Sequence, residues 1–351
     1  VTREELINNI KEGEIIEKAD LSGMDLSGAN LSGGIFEEVR FQGANLSGAN
    51  LRESIFTKPD FSGADLSGVN MRSTVMTEAN LTGVSLKNAC MVEAKLIDAD
   101  LSGADLSGAD LSTAALISAT LKEADLSNTN LDHTVMHEAQ LQGINLSGAN
   151  LAQTVMIDAA LEGAVFTGAK LHLTMMLNVN LSNMDLRGMQ FTGVQFKGAD
   201  LSGVNLTGAD LTQASFMEAN LSEAVLDQVK AQYAIFMQAK MTNASLKGAF
   251  LKQTSFGEAD LTGADLSGAE LELSVFEKSV CRATRFIGAN LTYCDFSHAD
   301  LSGADMSRAR LFRTKLHRVK EEYTRWDAAG KKAALGTDPE LAEAEDWKPQ
   351  S

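Results

Sequence analysis

A five-residue register that never slips constrains this chain more than any other feature. Residues 99 to 112 read Ala-Asp-Leu-Ser-Gly-Ala-Asp-Leu-Ser-Gly-Ala-Asp-Leu-Ser, with Leu101, Leu106 and Leu111 at the centres of successive units. Between Ile16 and Leu316, 59 of the 61 central positions are Leu, Ile, Phe or Met, the exceptions being Ala231 and Cys281. Two residues before each centre the side chain is nearly always small, with Met24, Pro59, Ile144, Met184 and Met189 among the departures. Such a register is the mark of a repeat architecture. A period of five fits neither the 3.6 of a helix nor the 2 of a strand. Within each unit, however, the small and large residues lie two apart, as on one face of an extended segment. The Ser-Gly that follows suits a turn in which Gly takes positive φ at no steric cost. One unit is therefore one short side and one corner.

A longer period gives the number of sides. Phe196, Phe216, Phe236, Phe256, Phe276 and Phe296 recur every twenty residues, and Met136, Met156 and Met176 continue the column. Four units per coil make a square solenoid. The A-(D/N)-L-x-x unit in coils of four resembles the pentapeptide-repeat family over about 300 residues. The resemblance implies an all-β, right-handed quadrilateral β-helix. About fifteen coils at the strand spacing of ~4.8 Å predict a rod ~70 Å long.

The expected organisation is a capping helix over residues 1–13, the β-helix over 14–316 and a helical cap or tail over 317–351. Thr2-Arg-Glu-Glu5 has the form of a capping box before Leu6, Ile7 and Ile10. Ala328 to Leu335 is helix-prone, and Asp338-Pro339 opens a second short helix ending near Trp347. Trp326 or Trp347 is expected to cover the last coil. Irregular coils are expected where Met175, Met176, Met184 and Met189 crowd together, and Pro59 removes a backbone donor from its side. The chain starts at Val1 rather than Met, which fits trimming or excision from a longer polypeptide.

The formal charge of −17 disfavours nucleic acid and anionic membranes as direct partners. Arg and Lys outnumber Asp and Glu between Arg308 and Lys332, so the acidic body has a basic end. Cys281 and Cys294 fall on core positions and read as buried free thiols, and the absence of a signal peptide or long apolar run points to the cytoplasm. No catalytic, cofactor-binding or metal-binding residues are expected. The glycines are corner residues, His133, His137, His172, His298 and His317 do not gather in sequence, and the Asp columns read as solvated carboxylates without perturbing neighbours.

Three of the four sides carry mostly Asp, Asn or Ser just before the centre. The fourth carries Ile35, Ile55, Val75, Val135, Val155, Met175, Ile235 and Val275, with Ile97, Ile117, Ile157, Leu177, Met217 and Met237 just after the centres. These residues are the candidate surface for a protein partner or for self-association, since monomers rarely expose long apolar patches. β-Branched residues favouring a regular strand would explain them equally well. The function expected is a non-enzymatic rigid scaffold for protein–protein interaction. The terminal segments, Thr2 to Leu6 and Leu335 to Leu341, are similar to those of pentapeptide-repeat proteins linked to bacterial type VI secretion, which implies an adaptor role. The alternative is a DNA mimic that binds a type II topoisomerase and modulates inhibitor resistance, as some family members do. Residues 1 to 304 carry a net charge near −18. That is one charge per ~4 Å of rod, sparse beside the one per ~1.7 Å of duplex DNA.

Overall fold

The computed structural model describes residues 1–347. It divides into two bodies, Val1–Val179 and Asn180 onward.

A single side shows why the coil forms. In the unit centred on Leu106 there are five backbone N–H groups, and each must find a partner. Ala104 N–H closes the turn on Leu101 O (3.0 Å), Asp105 N–H reaches back one coil to Val84 O (2.9 Å), and Leu106 and Gly108 N–H reach forward to Asp125 O (2.8 Å) and Ser127 O (2.9 Å). The fifth, Ser107 N–H, lies outside the ladder and donates to the carboxylate of Asp105 (3.1 Å). Asp or Asn before the centre thus completes the backbone accounting of its own side. The Asp columns, read from the sequence as unperturbed, are tied down in this way.

The same pattern repeats in parallel register every twenty residues, as in Asp20↔Arg40, Asp25↔Asn45 and Asn30↔Asn50. On the fourth side of the first body it widens into three-residue strands: β1 (Ile15–Glu17), β2 (Ile35–Glu37), β3 (Ile55–Thr57) and β4 (Val75–Thr77). They pair in that order with Ile15 on Ile35, Ile35 on Ile55 and Ile55 on Val75. Ladders of Asn amides run along the other sides, with Asn150 donating to Asn130 at 3.0 Å and Asn130 to Asp110 at 3.0 Å.

Inside, the centres stack. Phe36 lies on Phe56 and Phe41 on Phe61, with ring centroids 4.5 Å apart in each pair. In the second body Phe196, Phe216, Phe236, Phe256, Phe276 and Phe296 form one stack with centroids 4.5 to 5.1 Å apart. Gly34 holds a small-residue position because a Cβ there would lie 2.6 Å from the Phe36 ring. Buried hydroxyls at other small-residue positions add bonds between coils. Thr74, Thr134, Thr154 and Thr174 each donate to the carbonyl 23 residues earlier at 2.8 Å. Cys294 fills the same kind of position with its thiol, which donates to Leu271 O (2.9 Å). Burial pushes the thiols of Cys281 and Cys294 up to about 12.

Helix α1 (Arg3–Lys11) is opened by a capping box between Thr2 and Glu5 and buries Leu6 completely. At the other end the coil outlasts the apolar repeat. Pairing continues past Leu316 through Asp300↔Lys320, Asp305↔Arg325 and Lys315↔Leu335. The small residues persist as Val319, Thr324 and Ala329 while the centres turn polar as Glu321 and Lys331. Backbone pairing needs the small residue but not an apolar centre where no further coil stacks on it, so the boundary at 316 marks the end of the core rather than of the coil. The same pairing overrides helix propensity over Ala328 to Leu335: Arg313 N–H donates to Ala333 O and Leu335 N–H to Thr314 O (2.8 Å each), leaving only a 3-10 turn at Lys331–Ala333. Helix α2 (Pro339–Asp346) is capped by Asp338. Trp347 is 71% exposed and covers nothing, whereas Trp326 is half-buried with Lys331 Nζ 4.3 Å above its ring. Over Leu173 to Met189 each unit keeps its turn, and the division between the two bodies falls within that stretch.

Three outcomes follow from this architecture. Thr154→Val removes one buried hydrogen bond while Leu131 O keeps the Thr134 N–H (2.9 Å), so chemical denaturation should show a loss of about 1 kcal/mol. In the folded protein a thiol reagent should titrate Cys90 alone, because Cys281 and Cys294 are buried; all three should react in denaturant. Stability should also fall in acid. Burial raises the Asp105 carboxyl, but hydrogen bonds from Ser107 and from Lys87 outweigh that and hold it below its ordinary 3.8. A carboxyl depressed by folding stabilises while ionised, so its contribution is full above that ordinary value and is lost as the pH falls through the lower folded one. A melting temperature unchanged between pH 6 and pH 2.5 would refute this.

Candidate functional site

The fourth side carries its apolar residues in a position where the other sides carry Asp or Asn. Ile and Val have no oxygen to offer the N–H two residues on, so each forgoes the bond that completes a polar side. In the first body the column falls into two runs, Ile15–Ile35–Ile55–Val75 and Ala115–Val135–Val155–Met175, separated by Lys95. Ile97, Ile117, Ile157 and Leu177 stand beside them one residue past the centres, and none of these side chains is buried. In the second body the ribbon breaks up: the paired column reads Gln195, Ser215, Ile235, Ser255, Val275, Asp295 and Lys315. Ile235 and Val275 are therefore separated by serine, with Met217 and Met237 alongside. The candidate residues are outward everywhere, but successive coils carry them in runs of four only in the first body, on either side of Lys95.

Several residues belong with this surface that the column alone does not reveal. Ile15 begins the first run and is 49% exposed. Leu173, Tyr233, Leu273 and Tyr293 occupy turn positions with φ between 57° and 65°. Bulky side chains are uncommon in that left-handed region, where Gly and Asn are favoured. All four lie two residues after a third-side centre, at the corner leading into the fourth side, and each is about half exposed. The Tyr293 ring meets the exposed Phe312 edge-on at 5.6 Å. The signal was available in the sequence as a large apolar residue where the turn calls for glycine.

The second body also corrects the expectation that the histidines do not gather. His298 and His317 are 19 residues apart, which places them on adjacent coils, with ring centroids 5.3 Å apart. Glu345 of α2 meets both: His298 Nε2 lies 3.1 Å from Oε1 and His317 Nε2 lies 3.2 Å from Oε2. Arg318 joins them, with Nε 3.1 Å from Glu345 Oε2 and its guanidinium on Ala342 O (2.6 Å). Hydrogen bonding from His317, and then from His298, holds the Glu345 carboxyl below its usual range. Among the described residues no helix is long and apolar enough to cross a membrane.

The model of pentapeptide repeats matches the chain in blocks between residues 35 and 318, interrupted at 173–176 and 278. Among solved structures, the chain is similar to HetL, a pentapeptide repeat protein involved in heterocyst differentiation regulation in the cyanobacterium Nostoc (23% identity, 88% of this chain and 96% of that one, TM-score 0.24). It is similar also to QnrB1, a plasmid-mediated fluoroquinolone resistance protein (19%, 54% and 92%, 0.30), and to a pentapeptide repeat protein of the Arabidopsis thaliana thylakoid lumen (28%, 32% and 70%, 0.19). A search of curated proteins returns no match. Membership rests on the repeat match, which covers more than half of the chain, and not on these superpositions. This chain belongs to the pentapeptide-repeat family, and its coils are those of a right-handed quadrilateral β-helix.

Proposed function

We propose that this protein is a non-enzymatic scaffold that binds a protein partner, or a second copy of itself, along the fourth side of its first body. The observation that carries this reading is the run Ala115–Val135–Val155–Met175. Its residues sit outward, paired in parallel register on successive coils, at positions where Asp or Asn would have satisfied a backbone N–H worth about 1 kcal/mol. Strand propensity alone is a weaker account. Three-residue strands form at Ile15, Ile35, Ile55 and Val75, yet only single paired residues form at Val135 and Val155. The terminal segments suggest type VI secretion as one setting for such an adaptor.

The DNA-mimic alternative is less well supported by the acidic groups. Many carboxylates are occupied by the coil or by a cation on a neighbouring coil, as Asp105 is by Lys87 at 3.0 Å and Asp20 by Arg40 at 2.8 Å. Neutralised pairs do not reproduce a phosphate ladder. Potent protection of a type II topoisomerase from a quinolone would reinstate that reading.

The test is the double substitution Val135→Asp with Val155→Asp. Both side chains point outward, so the melting temperature should stay within a few degrees, while sedimentation or pull-down should show loss of the dimer or of the partner. Leu131→Asp, which buries a carboxylate, should instead unfold the body. A double variant that still associates, or a native protein that is monomeric and captures nothing along this side, would remove the proposal.

A further inference from the structure

We propose that His298, His317 and Glu345 form a binding site for a divalent transition-metal ion, with zinc as the reference ion. The donor atoms, two imidazole Nε2 and one carboxylate, all lie within 4.8 Å of one another. Four-coordinate zinc with bonds near 2.0–2.1 Å holds its ligand atoms roughly 3.4 Å apart. Both histidine–carboxylate separations, 3.1 and 3.2 Å, already have that span. Only the two imidazoles need to close on each other.

The site is rooted on rigid parts. His298 N–H donates to His317 O (2.8 Å), so the two histidines are fixed to each other by the coil ladder itself. His317 is buried, and in the metal-free protein its Nδ1 accepts from the Asp338 N–H at 3.1 Å. The surrounding charge favours a cation. Glu277, Asp295, Asp338 and Glu345 face the cleft between α2 and the fourth side, against Lys315 and the adjoining Arg318, an excess of two negative charges. Two imidazoles and a carboxylate suit zinc, copper or nickel better than magnesium or calcium, which take oxygen ligands. Three protein ligands leave a fourth position for water.

The His317 tautomer gives the ion a signature. With Nδ1 accepting from Asp338, the ring carries its proton on Nε2 and donates it to Glu345. An ion at Nε2 requires that proton on Nδ1 instead, so the Asp338 N–H loses its acceptor and the start of α2 must shift. That lost bond weakens binding by roughly five- to tenfold. It also separates metal binding from a simple latch, in which the same three groups only hold down a helix that buries no residue of its own.

The experiment uses the full chain after chelator treatment and zinc chloride alone as the titrant. Calorimetry should show one site with micromolar Kd, and cobalt should give the visible spectrum of a four-coordinate ion. The Asp338 amide resonance should move on zinc addition and its exchange quicken, while exchange over Ala342 to Asp346, around the Glu345 ligand, should slow. His317→Gln and Glu345→Gln should each weaken binding at least tenfold. The variant His133→Gln with His137→Gln, which alters histidines elsewhere on the surface, should leave it unchanged. These side chains lie outside the stacked core, so circular dichroism should show every variant folded. Absence of a saturable single site overturns the proposal. So does binding that survives both His317→Gln and Glu345→Gln, or binding that leaves the Asp338 amide in place.

Discussion

The ladder of backbone N–H groups bonded to carbonyls about twenty residues away governs the rest of this molecule. A side with Asp or Asn before its centre keeps one accounting: one donor closes the local turn, three join neighbouring coils, and one goes to that side chain. Because the ladder is indifferent to what projects outward, surface residues can vary from side to side without altering the coil. Because it fixes the interior at the width of one small and one large residue, Gly34 must stay small beside Phe36 and the buried hydroxyls must stay short. Stability in such a body is a sum over neighbouring coils, so damage at one coil stays local.

Much of this could be read from the sequence because its causes are local. The small–large alternation, the period of twenty, the capping box at Thr2 and the Asp338 cap each depend on residues a few positions apart or one coil apart. What the local pattern does not carry has two kinds of cause. The coil continues past Leu316 because pairing to the preceding coil outweighs the helix propensity of Ala328 to Leu335, a tertiary effect. His298 and His317 are one residue short of a full coil apart, which places them side by side once the period is applied, but the third member of their cluster comes from α2, whose docking no repeat predicts. The corner residues Leu173, Tyr233, Leu273 and Tyr293 are legible as bulky side chains at turn positions that take positive φ and favour Gly or Asn.

The polar and apolar sides use one position for opposite ends. Where Asp or Asn stands before the centre on the three polar sides, it completes the backbone hydrogen bonding and forms ladders, as Asn145 does with Ser147 and Asp125. On the fourth, the apolar residue in that position gives up that bond and presents carbon to the outside. Ion pairs between coils, such as Lys315 with Asp295 at 3.0 Å and Arg40 with Asp20 at 2.8 Å, are partly solvated. They contribute little stability one by one. Their larger effect is to lower the field of a chain whose formal charge is −17.

The charged centres of the final turns carry a consequence for assembly. A parallel coil that ended on leucine and phenylalanine would present a flat apolar face edged with unpaired N–H and C=O groups, which is a template for the next copy. Such head-to-tail contact has no closure and propagates into filaments. Glu321 and Lys331, joined at 2.6 Å above the last stacked residues, and Lys331 over the Trp326 ring put charge and an aromatic plate where a further coil would have to seat. The protein thus ends its core one turn before it ends its backbone pairing, and the difference between those two endings keeps a stackable shape from becoming a fibre.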